Sequence, residues 1–304
     1  MTQEADEKLR AILGVVVTYF PDDGFEQRIQ KILSQIDQVL VIDNTPDATT
    51  PRPITRIAQL KNVSLIRSGS NMGIASALNK GLQIAKTYNY SWVATFDQDS
   101  EIPLNYRETF LRILAGHPKR ALIGILAPVY RLPNGYIKTF SSKKYKPDAF
   151  GVKEVGLTMT SGNLINVSKI FQVGLFDDSL FMDYVDFDLC IRLKERGYLI
   201  LETSEVVLHH TLGEQNRQKK FIWTSLGVTS YPPARIYYAT RNRLILYSRY
   251  WKTSPSFVIH DSIKFPVYLL KIILFEKDKK KKLVGFIEGM KDAFLCRLGP
   301  KKNE

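Results

Sequence analysis

The first hundred residues alternate between short, continuous apolar runs and segments with helical spacing, and this alternation admits few architectures. Ala11–Tyr19 has the pattern of a buried strand and runs into a Pro21-Asp22-Asp23-Gly24 turn. Phe25–Ile36 then places Ile29, Ile32, Leu33 and Ile36 on one helical face. Gln38–Asn44, Val63–Ile66 and Trp92–Asp97 repeat the strand pattern, and Gly73–Tyr88 carries Ala75, Leu78, Leu82 and Ala85 at helical spacing. Runs that are apolar throughout belong to strands covered on both faces. The pattern therefore predicts an α/β chain built on a mostly parallel sheet flanked by helices.

The ends of these runs carry the chemistry. In open parallel sheets ligands bind beyond the carboxyl ends of the strands. Thr18-Tyr19, Asp43-Asn44 and Asp97-Gln98-Asp99 occupy three such ends, so three segments are predicted to converge on one crevice. Asp-x-Asp at a strand end can hold a divalent cation, and the cation can hold a diphosphate. Carboxylates do not bind phosphate unaided, so the pair points to metal-assisted nucleotide chemistry. Asp-x-Asp also occurs in ordinary surface turns, and its meaning depends on what accompanies it.

Further along, residues 105–115 read as a helix and Ala121–Pro128 as a strand. Residues 130–160 read as looped, with a hairpin turn at Pro133-Asn134-Gly135. Phe187–Arg196 reads as a helix closed by Gly197, and Leu199–Leu208 as a strand running into His209-His210. The start of the chain is charged and has no apolar core of a signal peptide. Cys190 and Cys296 lack metal-ligand spacing and read as ordinary buried or half-buried thiols.

The net charge of +13 is unevenly distributed. Residues 1–216 hold 24 basic and 24 acidic side chains, whereas residues 217–304 hold 19 and 6, which accounts for the whole excess. A basic end on a neutral body suggests an anionic partner, either nucleic acid or a membrane surface. Within it, Lys264–Phe275 is apolar but too short for a bilayer, which needs about 20 apolar residues. Lys264 and Lys271 share one helical face, and Lys277 and Lys279–Lys282 follow. That arrangement suits a helix lying in the interface of an anionic membrane, and equally a packing helix with a solvated turn. No nucleic-acid recognition motif accompanies the charge, so no nucleic-acid partner is expected.

The motifs, in order, resemble those of the family 2 glycosyltransferases of the GT-A fold, a Rossmann-like sheet flanked by helices, here with a basic helical C-terminal extension. The resemblance rests on Val17-Thr18-Tyr19, Val41-Ile42-Asp43-Asn44, Asn71-Met72-Gly73, Asp97-Gln98-Asp99, Thr160-Ser161-Gly162-Asn163, Asp186-Phe187-Asp188 and His210-Thr211-Leu212-Gly213. Phe181–Asp186 and Tyr237-Tyr238-x-x-Arg241-Asn242 are similar to the bacterial branch that uses dTDP-L-rhamnose. The implied organisation is a GT-A domain over 1–250, with a nucleotide half at about 11–128 and an acceptor and catalytic half at about 129–250. A possible membrane-associated region at 251–304 follows.

The resemblance implies an inverting, metal-dependent enzyme. The sugar would pass from a nucleotide-sugar donor to a glycan or polyprenyl-diphosphate-linked acceptor in cell-surface polysaccharide synthesis. It would work in the cytoplasm, peripheral to the inner face of the plasma membrane. Residue by residue, it implies that Thr18, Tyr19 and Asp43 contact the base and sugar, and that Asn71 and Gly73 lie near the nucleotide. A helix N-terminus at Gly73 would favour phosphate, although Asn71 also fits a plain cap. Asp99 is the expected ligand of Mn²⁺ or Mg²⁺, with Asp97 in support or on the nucleotide sugar and His210 aiding the metal or diphosphate. Asp186 is expected to be the general base and Asp188 its supporting or acceptor-orienting neighbour, while helix capping suits Asp183. Ser161, Gly162 and Asn163 are expected on the acceptor side. Arg241 either pairs with the diphosphate or braces the fold. A UDP-hexose donor, a nucleotidyltransferase and a nucleic-acid-binding protein are the competing functions, and a homodimer is left open.

Overall fold

The computed structural model describes residues 12–47, 52–132, 135–140, 146–209, 214–221 and 224–301. In chain order the elements begin with β1 (Ile12–Thr18), α1 (Phe25–Leu33), β2 (Gln38–Asp43), α2 (Arg52–Ile57), β3 (Val63–Arg67) and α3 (Gly73–Thr87). They continue with β4 (Trp92–Asp97), α4 (Tyr106–Gly116), β5 (Ile123–Arg131), β6 (Ile137–Lys138), β7 (Val152–Glu154), β8 (Leu164–Asn166) and α5 (Val167–Val173). The remainder are α6 (Val185–Glu195), β9 (Leu199–His209), β10 (Glu214–Phe221), β11 (Thr224–Ser230), α7 (Pro233–Tyr250), α8 (Pro255–Phe275) and α9 (Lys279–Phe294).

One sheet runs β3-β2-β1-β4-β8-β5-β9-β7, with β6 paired to β5. β1 is parallel to β2 and β4, β2 to β3, and β5 to β9. β8 is antiparallel to both β4 and β5, and β7 to β9. The expected parallel sheet is thus found, with antiparallel strands in its second half. Leu13 and Val15 of β1 enter one apolar core with α3, α5 and α6, and Ile12 and Val16 enter a second with α1, α2 and α4. This two-sided burial is why the strand is apolar throughout.

Several elements were not legible beforehand. α2 lies in a stretch read as a loop and buries only Pro53, Ile54 and Ile57. β6 and β7 lie in the span read as looped, and β7 buries a single residue, Val152. β10 and β11 form a separate antiparallel ribbon ahead of α7. α6 starts two residues before the expected Phe187. Cys190 is buried as expected, but Cys296 is exposed.

The three C-terminal helices pack on the domain and on each other. α9 lies so close to α7 that a Cβ on Gly289 would stand 2.6 Å from the Tyr237 carbonyl oxygen. Gly289→Ala is therefore expected to destabilise the protein by about 1–3 kcal/mol through overpacking. Gly156→Ala, where a Cβ meets nothing within 4 Å, should leave thermal unfolding unchanged.

Candidate active site

The register of β1 assembles the site. Thr18 is paired with Asp43 and Val17 with Asp97, so all three polar strand ends emerge at one edge. Gln98, the middle residue of the acidic motif, joins them. Its side-chain oxygen accepts from the Thr18 hydroxyl and the Tyr19 amide, each at 2.8 Å, and its carbonyl accepts from Arg28 Nε at 2.7 Å. Thr18 is therefore buried, with its hydroxyl bonded within the protein. Asp43 is likewise fully buried, accepting from the Thr45 amide at 2.9 Å and pairing with Arg67 at 3.4 Å. Their contribution is to hold the edge. Tyr19 is the exposed member of the predicted set, and its ring meets that of Phe20, which is also exposed, edge-on at 4.6 Å.

Asp97 and Asp99 are half-buried at this edge. The Asp97 amide donates to the hydroxyls of Ser100 (3.0 Å) and Ser161 (3.3 Å), which also hydrogen-bond each other. Ser161, Gly162 and Asn163, expected on the acceptor side, are tied into the fold. Ser161 and Asn163 are 1% and 2% exposed. Gly162, at φ 80°, is stitched to Thr95 and to the Tyr106 hydroxyl. Through Ser161 the segment braces the backbone of Asp97. Carboxylate oxygens are the ligands a hard divalent cation takes, and Mg²⁺ commonly uses one or two of them and completes its shell with substrate phosphate and water. Asp97 and Asp99 fit that donor set. Among the described residues, no group of three or more acidic, His or Cys side chains is placed to hold a metal. His210 lies outside the described residues.

Gly73 allows a close approach, but to its own chain. At φ 80° its amide is held by Asn71 Oδ1 at 3.0 Å, and a Cβ there would stand 2.6 Å from the Phe181 carbonyl oxygen. That carbonyl accepts from the Ile74 amide at 2.9 Å and the Ala75 amide at 3.4 Å. The first amides of α3, expected to favour phosphate, thus serve Phe181.

The turn containing Phe181 leads into α6 and is strained. Phe181, Asp183 and Tyr184 have φ of 66°, 56° and 66°, a region that costs a non-glycine residue about 1–3 kcal/mol unless its surroundings enforce it. The N-cap of α6 is Tyr184, without a side-chain cap, so Asp183 does not cap the helix as expected. Its carboxylate instead receives Arg235 Nε at 3.1 Å. Asp186 sits in the first turn of α6, half-buried. Burial pushes its carboxyl up to about 7, the Phe187 amide (2.9 Å) opposes this, and the Asp183 charge adds to it. Lys138, whose own ammonium is weakened by burial, lies within its field. Asp188, expected to orient the acceptor, has both oxygens engaged away from the site. Arg192 binds one oxygen at 2.8 Å, and Arg249 (2.6 Å) and Tyr250 (2.7 Å) bind the other. It is a fully buried brace between α6 and α7.

Arg241 resolves as the second of its two alternatives. It is 1% exposed, donates to the carbonyls of Gly299 (2.6 Å) and Leu180 (3.0 Å), and stacks near Tyr237 and Tyr238, so it braces the fold. Two residues that the sequence did not single out face the acids. Arg235 is raised in pKa chiefly by Asp183 and also by Asp97, and Lys138 responds to Asp186. Their signal was no more than a basic residue after Pro232-Pro233 and another after a short turn.

Residues 15–168, just over half the chain, match the model of glycosyl transferase family 2. The chain belongs to that family. It is 26% identical over 295 residues to dTDP-rhamnosyl transferase RfbF of Shigella flexneri, spanning 92% of this chain and 95% of that protein. It is 22% identical over 313 residues to an N-acetylglucosaminyl-diphospho-decaprenol L-rhamnosyltransferase of Mycobacterium tuberculosis, spanning 90% and 97%. A crystal structure of GalNAc-T7 with UDP, GalNAc and Mn²⁺ superposes at a TM-score of 0.61 and 12% identity, over 94% of this chain and 57% of that one. S. aureus TarS 1–349 superposes at 0.51 and 14% identity, over 93% and 72%. At those identities the likeness concerns the fold alone, and the fold is GT-A. The protein is a family 2 glycosyltransferase, as the motif order implied.

The two acids of α6 should separate in a melting experiment. Asp188→Asn leaves two guanidinium groups short of a charge and should cost about 3 kcal/mol, the low end for a broken buried pair because both arginines are partly exposed. Asp186 titrates higher in the folded protein than an unfolded aspartate, near 4, so its ionisation opposes folding between about pH 4 and 7 and fully above. Asp186→Asn should therefore melt above the wild type at pH 8 and level with it at pH 4.

Proposed function

We propose that this glycosyltransferase moves L-rhamnose from dTDP-L-rhamnose, with inversion, to a glycan or polyprenyl-diphosphate-linked acceptor in cell-surface polysaccharide synthesis. The observation that carries the mechanism is Asp186, a carboxyl pushed up to about 7 in the neighbourhood of Asp97. Tyr130, buried between strands, feels both Asp186 and Asp97, so the two acids share one neighbourhood. The donor identity is supported by the two relatives named above, both matched along almost their whole length.

In this mechanism Tyr19 and Phe20 offer aromatic faces to the base, and Gln98 keeps the strand ends in register beneath it. Asp186 takes the proton of the acceptor hydroxyl as that oxygen bonds to the anomeric carbon, and the bond from that carbon to the diphosphate oxygen breaks on the opposite face. Arg235 lies where a positive charge can meet the departing diphosphate. Asp97 and Asp99 would hold Mn²⁺ or Mg²⁺, which when bound neutralises charge on that diphosphate.

Association with an anionic membrane is part of the same proposal. No helix among the described residues is long and apolar enough to cross a bilayer. α8 instead exposes Ile259, Ile263, Val267, Leu270 and Leu274, a stripe at helical spacing, and α9 exposes Val284 and Ile287. Lys264, Lys280 and Lys281 are exposed on the same helices. Lys282, expected to join them, is buried in an ion pair with Glu276 and is unavailable to lipid.

A panel of dTDP-rhamnose, UDP-glucose, UDP-galactose and UDP-N-acetylglucosamine, each with and without Mn²⁺, tests the donor. Consumption of dTDP-rhamnose alone, with Mn²⁺, is expected, and preference for a UDP-sugar would overturn the assignment. Asp99→Ala should remove the Mn²⁺-dependent part of dTDP binding. Asp186→Asn should abolish transfer with donor binding intact, and wild-type kcat should rise with pH through about 7, where the base ionises. Sedimentation with vesicles should capture the protein on phosphatidylglycerol but not on phosphatidylcholine, and Ile263→Glu with Leu270→Glu should release it.

A further inference from the structure

The base at Asp186 stands two residues beyond the strained turn; α3 holds the start of that turn through the Phe181 carbonyl, and α7 and α8 hold the rest. Asn242 of α7 directs its side-chain amide nitrogen at three turn carbonyls: Leu180 at 2.8 Å, Met182 at 2.6 Å and Asp183 at 2.9 Å. Tyr184, left-handed and buried, donates its hydroxyl to Asp261 of α8 at 2.9 Å. The same Asp261 oxygen accepts from Arg243 Nε at 2.9 Å and from the Tyr247 hydroxyl at 2.9 Å. Arg243 also donates to the Tyr184 hydroxyl, and its guanidinium lies over the rings of Phe265 and Tyr268 of α8. A buried carboxylate on one helix, an arginine and a tyrosine on the next, and the last residue of the turn thus form one cluster.

We propose that Tyr184, clamped by Asp261, is a positioning residue for the catalytic base, and that α8 belongs to the active site through it. The inference rests on Asp186 being the base. The physical ground is that a non-glycine turn with three positive φ angles relaxes unless it is held, and a misplacement of the order of 1 Å in a reacting group can cost about 100-fold in rate. The Tyr184 hydroxyl ties the residue that caps α6 to α8. The same clamp connects the base to the helix whose outer face carries the exposed apolar stripe.

The test compares the wild type with Tyr184→Phe, which keeps the ring, and with Tyr247→Phe, which weakens the clamp without touching the turn. Amide hydrogen exchange over residues 181–188 reads the clamp without any donor. Turnover against pH, with whichever donor the wild type uses, reads the base. Exchange in Tyr184→Phe is expected to be about five- to tenfold faster there, as for loss of one hydrogen bond, with a smaller rise in Tyr247→Phe. kcat should fall about 10- to 100-fold with the donor KM unchanged. The acidic limb of its pH profile should move below 7, because a loosened turn admits water to Asp186. Unchanged exchange in both variants would overturn the proposal, as would faster exchange with kcat and acidic limb unaltered. Should Tyr184→Phe fail to fold, Tyr247→Phe decides by the same two readouts. Persistent turnover in Asp186→Asn would show instead that the base assignment had failed, whatever the exchange data said.

Discussion

The parallel register of β1 between β2 and β4 is the constraint from which the site follows. It sets Thr18 beside Asp43 and Val17 beside Asp97, and a slip of one residue would turn every side chain of β1 to the other face. Both faces of that strand are filled, by Leu13 and Val15 on one side and Ile12 and Val16 on the other, so the register is strongly specified. Gln98 then hydrogen-bonds across the gap between the two strand ends, and Ser100 with Ser161 fixes the backbone of Asp97 from beneath. The acids at the mouth are held by polar groups that themselves face inward.

The second support is the turn at Phe181–Tyr184. It caps α3 through the Phe181 carbonyl, delivers Asp183 to Arg235, and starts the helix that carries Asp186. Its backbone is unfavourable on its own, and Arg241, Asn242 and the Asp261 cluster make it the conformation that survives. Residues after 250 therefore bear on this turn as well as on the surface, since Asp261 ties α8 to Tyr184 and Gly289 packs α9 against α7.

Charge has to be read with the same geometry. The +13 excess of residues 217–304 suggested a surface for an anionic partner. Arg235, Arg241, Arg243, Arg249 and Lys282 belong to that excess and are all engaged within the protein, with Asp183, backbone carbonyls, Asp261, Asp188 and Glu276. Several partners of these groups lie before residue 217, so part of the imbalance between the two segments is an attraction between them.

The amino-acid sequence alone was enough to predict the sheet, the order of the strand ends and the family, because apolar runs and short motifs are local properties of a chain. It did not separate residues that face the site from residues that hold it. Thr18, Asp43, Ser161, Asn163, Asp188 and Arg241 all sit in the motifs, and each proved buried and bonded within the fold. Nor did it reveal Gln98 as a bridge, Arg235 as the cation beside Asp183, or Asp261 as the tie to Tyr184. Those roles depend on partners between 52 and 80 positions away in the chain, and only the packed structure decides which polar group is left facing water and which is needed inside.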